Sequence, residues 1–414
     1  MRTRRNEELY GEKVVRVSKP GETRMADRFN RGDILVLSPD RRSLFAVRAG
    51  RPATVAPAVR HRTALALADQ HPEVMGLRRQ AQNVSLAPHE RSAVSAKVRD
   101  VREEVCQLLL RTAPVVVSSC VGASQLLAEN VSFPMVVLDE GSQATEPALL
   151  CALAAAKAEQ LVILGDTRQL PPTVASESVE LRQALGFSPM ARLEKIGVGQ
   201  RTLAVQYRMP PELLRFPSRY FYESLVTCPK GRASTRPPKG FAWPGGQPLC
   251  FIHLGHDLEV GHAEGGKSNP EEAALAARIV TAILDAGEVS PANVAIIAPY
   301  ARQVDQIREQ LVGAVASACR VGTVDSFQGQ ETDLVIFSAT RSNELGDMGF
   351  LQDPRRLCVA ITRARRGLIL VGDVRTLRRS HHWTALIDDC ETRGCLINAA
   401  DLFECPVEEQ EEAA

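Results

Sequence analysis

Apolar residues recur along the chain with two spacings, one typical of buried strands and one typical of helices. In the first half, short apolar runs at 113–117, 133–138 and 160–164 alternate with helical spacing at 88–112 and 143–157. After residue 199 the alternation restarts, with apolar runs at 249–254, 293–298, 320–324, 333–339 and 367–371 and helical stretches at 271–286, 300–313 and 354–365. This alternation predicts two parallel β-sheets covered by helices, an α/β fold.

The pattern divides the chain into four parts. An arginine-rich segment at 1–65, of uncertain fold, contains a short strand-like run at 33–37. The first sheet domain is expected at 66–199 and the second at 200–400. The tail at 401–414 is acidic, and we expect its last part, residues 407–414, to be disordered.

Composition narrows the class of protein. The 414 residues are 44% hydrophobic and 24% charged with a net charge of +1, as in an ordinary soluble globular protein. No run approaches about 18 uninterrupted apolar residues, so we expect no membrane span. The ten cysteines include no C-x-x-C pair, and Cys120, Cys151, Cys250 and Cys358 lie in apolar runs. We therefore expect buried free thiols and an intracellular, cytoplasmic or nuclear protein.

Acidic and amide side chains follow two apolar runs of the first half. Asp139 and Glu140 come directly after one run, and Gly165-Asp166 follow the next. An acid in the place of Asp139 can hold Mg²⁺, and an adjacent glutamate can deprotonate an attacking water. The amides of Gln143 and Gln169 can contact a terminal phosphate. The alternative is an acid pair that caps the following helix.

Arginines concentrate in the second half. A cluster near position 360 contains Arg355, Arg356, Arg363, Arg365 and Arg366. Such a cluster either lines a phosphate-binding groove or forms a solvated surface. We predict that Arg363, together with Arg208, stabilises charge on a transferred phosphoryl group. The alternative is a set of surface ion pairs, each worth about 0–1 kcal/mol.

Five segments in a fixed order carry a family resemblance. They are VVLDEGSQATEP (136–147), LGDTRQLPP (164–172), VQYRMPP (205–211), VGTVDSFQGQE (321–331) and VAITRARRG (359–367). This order resembles superfamily 1 helicases of the 5′-to-3′ branch, in particular the family of the nonsense-mediated mRNA decay helicase. Stretches between the motifs, such as SSCVGASQLL and GFLQDPRRL, resemble it too.

The resemblance implies two RecA-like domains that hydrolyse ATP in a cleft between them, with single-stranded RNA or DNA crossing their top. It makes Asp139 the Mg²⁺-side acid, Glu140 the catalytic acid and Gln169 a phosphate sensor. Arg208 and Arg363 become the arginine fingers. The remaining implied residues lie near the nucleotide (Gln206, Tyr207, Gly329, Glu331) or along the nucleic acid (Ser119, Cys120, Val121, Pro171, Pro172, Pro299, Tyr300, Thr323). For Tyr300, a packed aromatic at a strand end is an equal alternative.

The phosphate-binding loop of the family is not found at its expected position. No G-x-x-x-x-G-K-[ST] loop precedes Asp139, so we expect the first domain to be incomplete at its N-terminus. A literal match runs from Gly261 to Ser268, but no convincing buried strand precedes it. Asn269-Pro270 with two following acids spells a helix start. We therefore predict that Lys267 belongs to a loop before a helix and does not bind phosphate.

Two functions remain open from the sequence. The first is an ATP- and Mg²⁺-dependent helicase, expected to be monomeric, of which this chain is a fragment lacking the phosphate loop. The second is a non-catalytic nucleic-acid-binding scaffold derived from a helicase. The choice between RNA and DNA stays open as well, because binding along the backbone serves both.

Overall fold

The computed structural model describes residues 8–9, 12–13, 33–37, 46–49, 57–128, 131–231 and 235–403. The expected acidic tail lies outside the described residues from 404 onward, as does most of the segment 1–65. The chain divides into two compact units. Unit 1 comprises residues 1–167 and 171–198, and unit 2 comprises residues 168–170 and 199–414.

Unit 1 contains a five-stranded sheet flanked by helices and a separate antiparallel pair of short strands, β1 and β2. Its strands are β1 Glu8–Leu9, β2 Glu12–Lys13, β3 Asp33–Leu37, β4 Ala46–Arg48, β5 Val115–Ser119, β6 Met135–Leu138 and β7 Gln160–Ile163. Its helices are α1 Ala64–Asp69, α2 Pro72–Ala81, α3 Pro88–Thr112, α4 Gln125–Ala128, α5 Glu146–Ala156, α6 Val179–Leu185 and α7 Pro189–Lys195. The predicted helix at 88–112 and the three predicted strands are confirmed.

The sheet of unit 1 is mixed, which the apolar pattern does not reveal. Its order is β4-β5-β3-β6-β7, and β3 runs antiparallel to both of its neighbours. The pairs β4–β5 and β6–β7 are parallel, as predicted. The run at 33–37 is therefore a strand, but one that lies inside the sheet of unit 1. Cys120 is buried as expected, whereas Cys151 is exposed because it lies on the outer face of α5.

Unit 2 is a second sheet with helices on both faces. Its strands are β8 Leu249–His253, β9 Val260–Gly261, β10 Lys267–Ser268, β11 Val294–Ala298, β12 Arg320–Thr323, β13 Thr332–Ser338, β14 Ala364–Gly372 and β15 Leu396–Asn398. Its helices are α8 Pro211–Phe221, α9 Pro270–Asp285, α10 Ala301–Gln310, α11 Gly313–Ala318, α12 Pro354–Ile361, α13 Val374–Leu377 and α14 His381–Thr392.

The six-stranded sheet of unit 2 is parallel throughout, in the order β12-β11-β13-β14-β8-β15. Its central strands are apolar on both faces, and one core lies on each side of the sheet. Because parallel strands end at one edge, the loops after β11, β12 and β13 emerge together. That edge carries Pro299, Tyr300 and Thr323, whereas Glu331 and Arg363 directly precede β13 and β14 at the opposite edge.

One helix of unit 2 ends earlier than predicted. The helical pattern suggested residues 354–365, but α12 ends at Ile361 and β14 begins at Ala364. Thr362 ends the helix because its Oγ1 donates to the carbonyls of Cys358 and Val359 instead of continuing the turn. Arg363 therefore lies in the junction between helix and strand, where it is 1% exposed.

Candidate functional site

The predicted acid pair lies at the carboxyl end of β6. Asp139 is exposed and Glu140 is half-buried. The backbone NH of Glu140 donates to Asp139 Oδ1 over 3.0 Å, and Gln143 Nε2 donates to Glu140 Oε2 over 3.1 Å. Glu140 has a φ of +52°, a left-handed conformation that costs energy for a residue with a Cβ. Acid, acid and amide therefore form one compact turn, whose strained residue is the predicted catalytic glutamate.

Two glycines allow this turn to pack closely against the end of β7. Gly141 N donates to the carbonyl of Leu164 over 2.8 Å. A Cβ on Gly165 would come within 3.0 Å of Gly141 N and 2.9 Å of Met190 Sδ, so a larger residue does not fit. The turn at 139–143 and the Gly165-Asp166 pair are thus neighbours in unit 1, as expected for strands that end at the same edge.

The other candidates of unit 1 lie at the end of β5 and just after it, and between β7 and α6. Ser119 and Val121 are exposed, the latter by 64%, while Cys120 is buried and burial raises the pKa of its thiol. Ser119 Oγ accepts a hydrogen bond from Gly122 N over 3.1 Å. Pro171 is half-buried and Pro172 is buried.

In unit 2, the amide of Gln206 is used to build the turn that presents Tyr207 and Arg208. Gln206 Oε1 accepts from the backbone NH of Arg208 at 2.9 Å and of Met209 at 2.8 Å. Its Nε2 donates to Met209 O at 2.8 Å and to Cys228 Sγ at 3.1 Å. Tyr207 is left 58% exposed. The role of Gln206 visible here is to shape this loop.

Arg208 reaches across the unit to the loop between β12 and β13. Its Nε donates to Glu331 Oε2 over 2.7 Å and its Nη1 donates to the carbonyl of Thr362 over 2.9 Å. Gly329, two residues before that glutamate, has a φ of +68°, which favours glycine. Arg208 therefore contacts the loop that contains Gly329 and Glu331, although 123 positions separate it from Glu331.

Arg363 lies buried beside the same region. Its Nε donates to Val359 O at 2.9 Å, and its Nη1 donates to Gln330 O at 3.3 Å. Its Nη2 donates to Thr362 Oγ1 at 2.8 Å and to Gln169 Oε1 at 3.2 Å. The short segment 168–170 belongs to unit 2, and Leu170 is part of its core. The predicted sensor and the predicted arginine finger are thus hydrogen-bonded to each other.

The literal G-x-x-x-x-G-K-S match forms a hairpin. Strands β9 and β10 pair antiparallel, and Lys267 Nζ lies 2.9 Å from Glu259 Oε1. Burial favours a raised pKa for Glu259, but hydrogen bonds from Arg341, Lys267, Asn343 and the Ser342 backbone outweigh it and lower the pKa. The side chain of Asn269 accepts from Glu272 N over 3.1 Å and so caps α9, which confirms the predicted helix start.

The arginine cluster near position 360 is largely paired with acids. Arg355 lies 2.8 Å from Asp353, Arg365 lies 2.9 Å from Asp333 and 3.5 Å from Glu331, and Arg366 lies 3.3 Å from Glu288. The arrangement is a network of ion pairs around Arg363. The sequence analysis placed Arg365 in the cluster without a role of its own, and its acceptors lie on β13 and on the loop before it.

Comparisons with known proteins agree with this arrangement of motifs. Two family models, both described as AAA domain, match residues 46–177 and 185–375. Regulator of nonsense transcripts 1 from Dictyostelium discoideum is 35% identical over 308 residues, which cover 72% of this chain and 23% of that protein. ATP-dependent helicase NAM7 from Saccharomyces cerevisiae is 36% identical over 301 residues, 70% of this chain and 30% of that protein.

The chain belongs to the superfamily 1 helicases related to the regulators of nonsense transcripts. It spans about a quarter of the length of the first of these relatives. Among solved structures, one titled "The structure of PRRSV helicase" is similar with a TM-score of 0.32 and 18% identity, over 59% of this chain and 36% of that chain. Within the described ranges, no helix is long and apolar enough to cross a membrane.

The helicase family uses Mg²⁺ with its nucleotide. In unit 1, Asp139 is suited to bind such an ion. The exposed carboxylate of Asp139 follows a buried strand, and Mg²⁺ takes one or two such carboxylates together with phosphate oxygens and water. The hairpin at Gly261–Ser268 does not fit a phosphate-binding loop, because its lysine is paired with Glu259 and α9 is capped by Asn269. Asp139 therefore fits a Mg²⁺ ligand, whereas the hairpin does not fit a phosphate-binding loop.

The nucleic-acid candidates of unit 2 gather where β11 and β12 end. Thr323 is half-buried, and Pro299 and Tyr300 are buried. Tyr300 is 7% exposed, and its hydroxyl accepts hydrogen bonds from Arg341 Nη1 at 3.1 Å and from Phe350 N at 3.3 Å. The packed-aromatic alternative is the arrangement found for this tyrosine. Phe350, which the sequence reading did not select, is the exposed ring beside it.

Proposed function

We propose that this chain carries the water-activating and charge-stabilising groups of an ATP-dependent helicase that acts on single-stranded nucleic acid. The proposal extends family membership to an activity and assigns roles to individual residues. It rests on the acid and amide residues that follow the carboxyl end of β6 in unit 1, the kind of edge where ligands of open α/β sheets bind, and on arginines that distant segments of unit 2 bring together.

The single observation that carries the proposal is the meeting of Arg208, Glu331 and Arg363 in unit 2. Arg208 is separated from Glu331 by 123 positions and from the Thr362 carbonyl by 154, yet it donates to both. Two arginines held this close, with their guanidinium groups oriented by several acceptors, suit a site where negative charge develops. Phosphoryl transfer depends mainly on positioning and electrostatics of this kind.

In the proposed reaction, Glu140 accepts a proton from the water that attacks the γ-phosphorus. The bond from the γ-phosphorus to the bridging oxygen breaks, and ADP and phosphate leave. Gln143, hydrogen-bonded to Glu140, orients the carboxylate, and Gln169 and Arg363 contact the terminal phosphate. Arg208 neutralises charge on the transferred group. Asp139 would hold Mg²⁺, which when bound offsets charge on the phosphate oxygens.

Nucleic acid is the proposed second substrate. In unit 1, the exposed Ser119 and Val121 supply backbone and side-chain groups after β5, and Pro171 lies after the GDTRQ segment. In unit 2, Thr323 lies at the end of β12. Contacts of this type are made to the sugar-phosphate backbone, so we expect binding with little sequence preference and a strong dependence on salt.

A non-catalytic nucleic-acid-binding scaffold is the second candidate. The observation that favours it is the pairing of Lys267 with Glu259, because the literal phosphate-loop match then contributes no lysine to a phosphate. The strained turn at Glu140 favours the enzyme, since a binding module has no use for a left-handed glutamate bonded to an amide.

ATP turnover distinguishes the two candidates. It should be measured on protein expressed from the complete reading frame that contains residues 1–414, with and without single-stranded RNA or DNA. Turnover that rises severalfold with either strand supports the enzyme. Binding of nucleic acid without any turnover supports the scaffold and overturns the enzyme.

A further inference from the structure

Phe350 is a large apolar side chain held in a fixed position facing solvent. It is 53% exposed, although its neighbours Met348 and Leu351 are 1% and 2% exposed. The Leu351 carbonyl accepts a hydrogen bond from Trp383 Nε1 over 3.1 Å, so the buried side of this loop is fastened to α14. The exposed ring therefore stands on an anchored loop.

Two side chains pack against the ring of Phe350. The Tyr300 ring lies 5.2 Å away with an angle of 34° between the planes, and the Arg356 guanidinium carbon lies 5.0 Å from the Phe350 centroid. Tyr300 OH also accepts from Phe350 N over 3.3 Å. Arg356 is oriented in turn by Asp325 and Asp353, at 3.6 and 3.9 Å. The ring is thus supported along one side by an aromatic and a cation.

A glycine makes this arrangement possible. Gly349 has a φ of +49°, and a Cβ there would collide with Tyr300 OH and with the Arg341 guanidinium. Phe350 can lie against Tyr300 only because the preceding residue has no side chain. We call Phe350, Tyr300 and Arg356 together the platform. Its arrangement depends on the glycine at position 349.

We propose that Phe350 stacks against a nucleobase of bound single-stranded nucleic acid. The platform lies where β11 ends, and Asp325 links Arg356 to the loop directly after Thr323. An exposed ring with an adjacent guanidinium is the combination that serves base stacking without sequence preference, because every base offers a π-face. This inference rests on the proposed nucleic-acid binding and adds to it the residue that contacts a base.

The test compares Phe350→Ala with the wild type in binding a labelled short oligothymidylate and an abasic strand of equal length, followed by fluorescence anisotropy. We expect the substitution to weaken binding to oligothymidylate by about 5- to 150-fold, the range for one stacked base. Binding to the abasic strand should be unchanged, because only phosphate contacts remain. Phe350→Trp should retain the affinity for oligothymidylate. Its tryptophan fluorescence should be quenched by oligothymidylate and not by the abasic strand.

Phe187→Ala is the matched control. Phe187 is 43% exposed and has the Lys195 ammonium 5.9 Å from its ring centre, but it lies in unit 1 after α6. It should bind both strands as the wild type does. Since Phe350 is exposed, its alanine variant should fold normally, and an unchanged urea midpoint checks this.

Each other outcome overturns a distinct claim. Equal losses on both strands, or no loss on either, would overturn base stacking by Phe350 while leaving nucleic-acid binding in place. Failure of the wild type to bind either strand would overturn the proposed nucleic-acid binding and the stacking inference with it.

Discussion

Arg208 Nε donates to Glu331 Oε2 over 2.7 Å, which joins the QYRM and SFQGQE segments in unit 2. The same guanidinium donates from Nη1 to the Thr362 carbonyl, at the start of the TRARR segment. One side chain therefore links three of the five motifs. Its planar fork satisfies two acceptors in fixed directions, which a lysine cannot reproduce.

Arg208→Lys should separate the structural from the catalytic importance of this link. The side chains of Arg208 and Glu331 are 30% and 24% exposed, so we expect a stability loss of only about 1 kcal/mol. Turnover should fall by about 10³-fold or more if Arg208 acts on the transferred phosphate. Arg215→Lys, on the exposed face of α8, is the control. Normal turnover in Arg208→Lys would contradict the assignment.

Arg363→Ala should unfold more easily than Gln169→Ala. Arg363 is 1% exposed, and its removal leaves the carbonyls of Val359 and Gln330 without this donor. A hydrogen bond from a charged group contributes about 1.5–3 kcal/mol, so we expect the loss of these bonds to lower stability by on the order of 3 kcal/mol in urea unfolding. Because Gln169 is half-buried, Gln169→Ala should lower the free energy of unfolding by about 1 kcal/mol. Equal urea midpoints for the two variants would show that the buried hydrogen bonds of Arg363 do not stabilise the fold.

Lys267→Ala should leave nucleotide affinity unchanged. Lys267 is paired with Glu259, which keeps Arg341 and the Ser342 backbone as partners when the lysine is removed. We therefore expect a stability loss of about 1 kcal/mol or less. Titration with a fluorescent ATP analogue checks the affinity, and Lys239→Ala, at another surface ion pair, is the control. Abolished nucleotide binding in a folded Lys267→Ala protein would identify this hairpin as the phosphate loop after all.

Glu272 should make the stability of unit 2 depend on pH. Burial raises the pKa of this fully buried carboxyl to about 8, although hydrogen bonds from Ser338 and the Thr340 backbone act to lower it, and the charge of Asp373 adds to the rise. The folded state therefore keeps a proton that the unfolded chain releases near its ordinary pKa of 4.5. The contribution of Glu272 to the stability of the folded state is therefore fully present below pH 4.5. It is lost as the pH rises through about 8.

Glu272→Gln removes this titration. Between these two pKa values the wild type should lose about 1.4 kcal/mol per pH unit from this group, and the glutamine variant should not. Urea unfolding across pH 5 to 9 measures the difference. Glu271→Gln, the exposed neighbour on the same turn, should keep the wild-type slope. Parallel pH profiles for wild type and Glu272→Gln would contradict a raised pKa.

The apolar pattern predicted most strands and helices because the buried faces of these elements consist mainly of apolar residues. It did not predict that β3 runs antiparallel between β5 and β6, since a run such as DILVL indicates burial and contains no information on direction. Its helical reading of 354–365 extended too far, because Thr362 closes α12 through hydrogen bonds that helical spacing does not encode.

The sequence could select candidate residues where a motif carries several of them at fixed spacing, as in DEGSQ. Contacts between distant segments were not predictable, because nothing in the sequence indicates that Arg208 meets Glu331 or that Arg365 is shared between two acids. Phe350 was missed for a different reason. Its exposure depends on Tyr300 filling the space below it and on the positive φ of Gly349.

Glu140→Gln tests the central claim most directly. The measurement is ATP turnover with single-stranded nucleic acid, by protein from the complete reading frame, beside nucleotide affinity. Glu159→Gln, an exposed glutamate of unit 1, is the control. The account predicts that Glu140→Gln lowers turnover by about 10²-fold or more with unchanged nucleotide affinity, because the base that takes the proton from water is lost. Turnover equal to that of the wild type and of Glu159→Gln would contradict it.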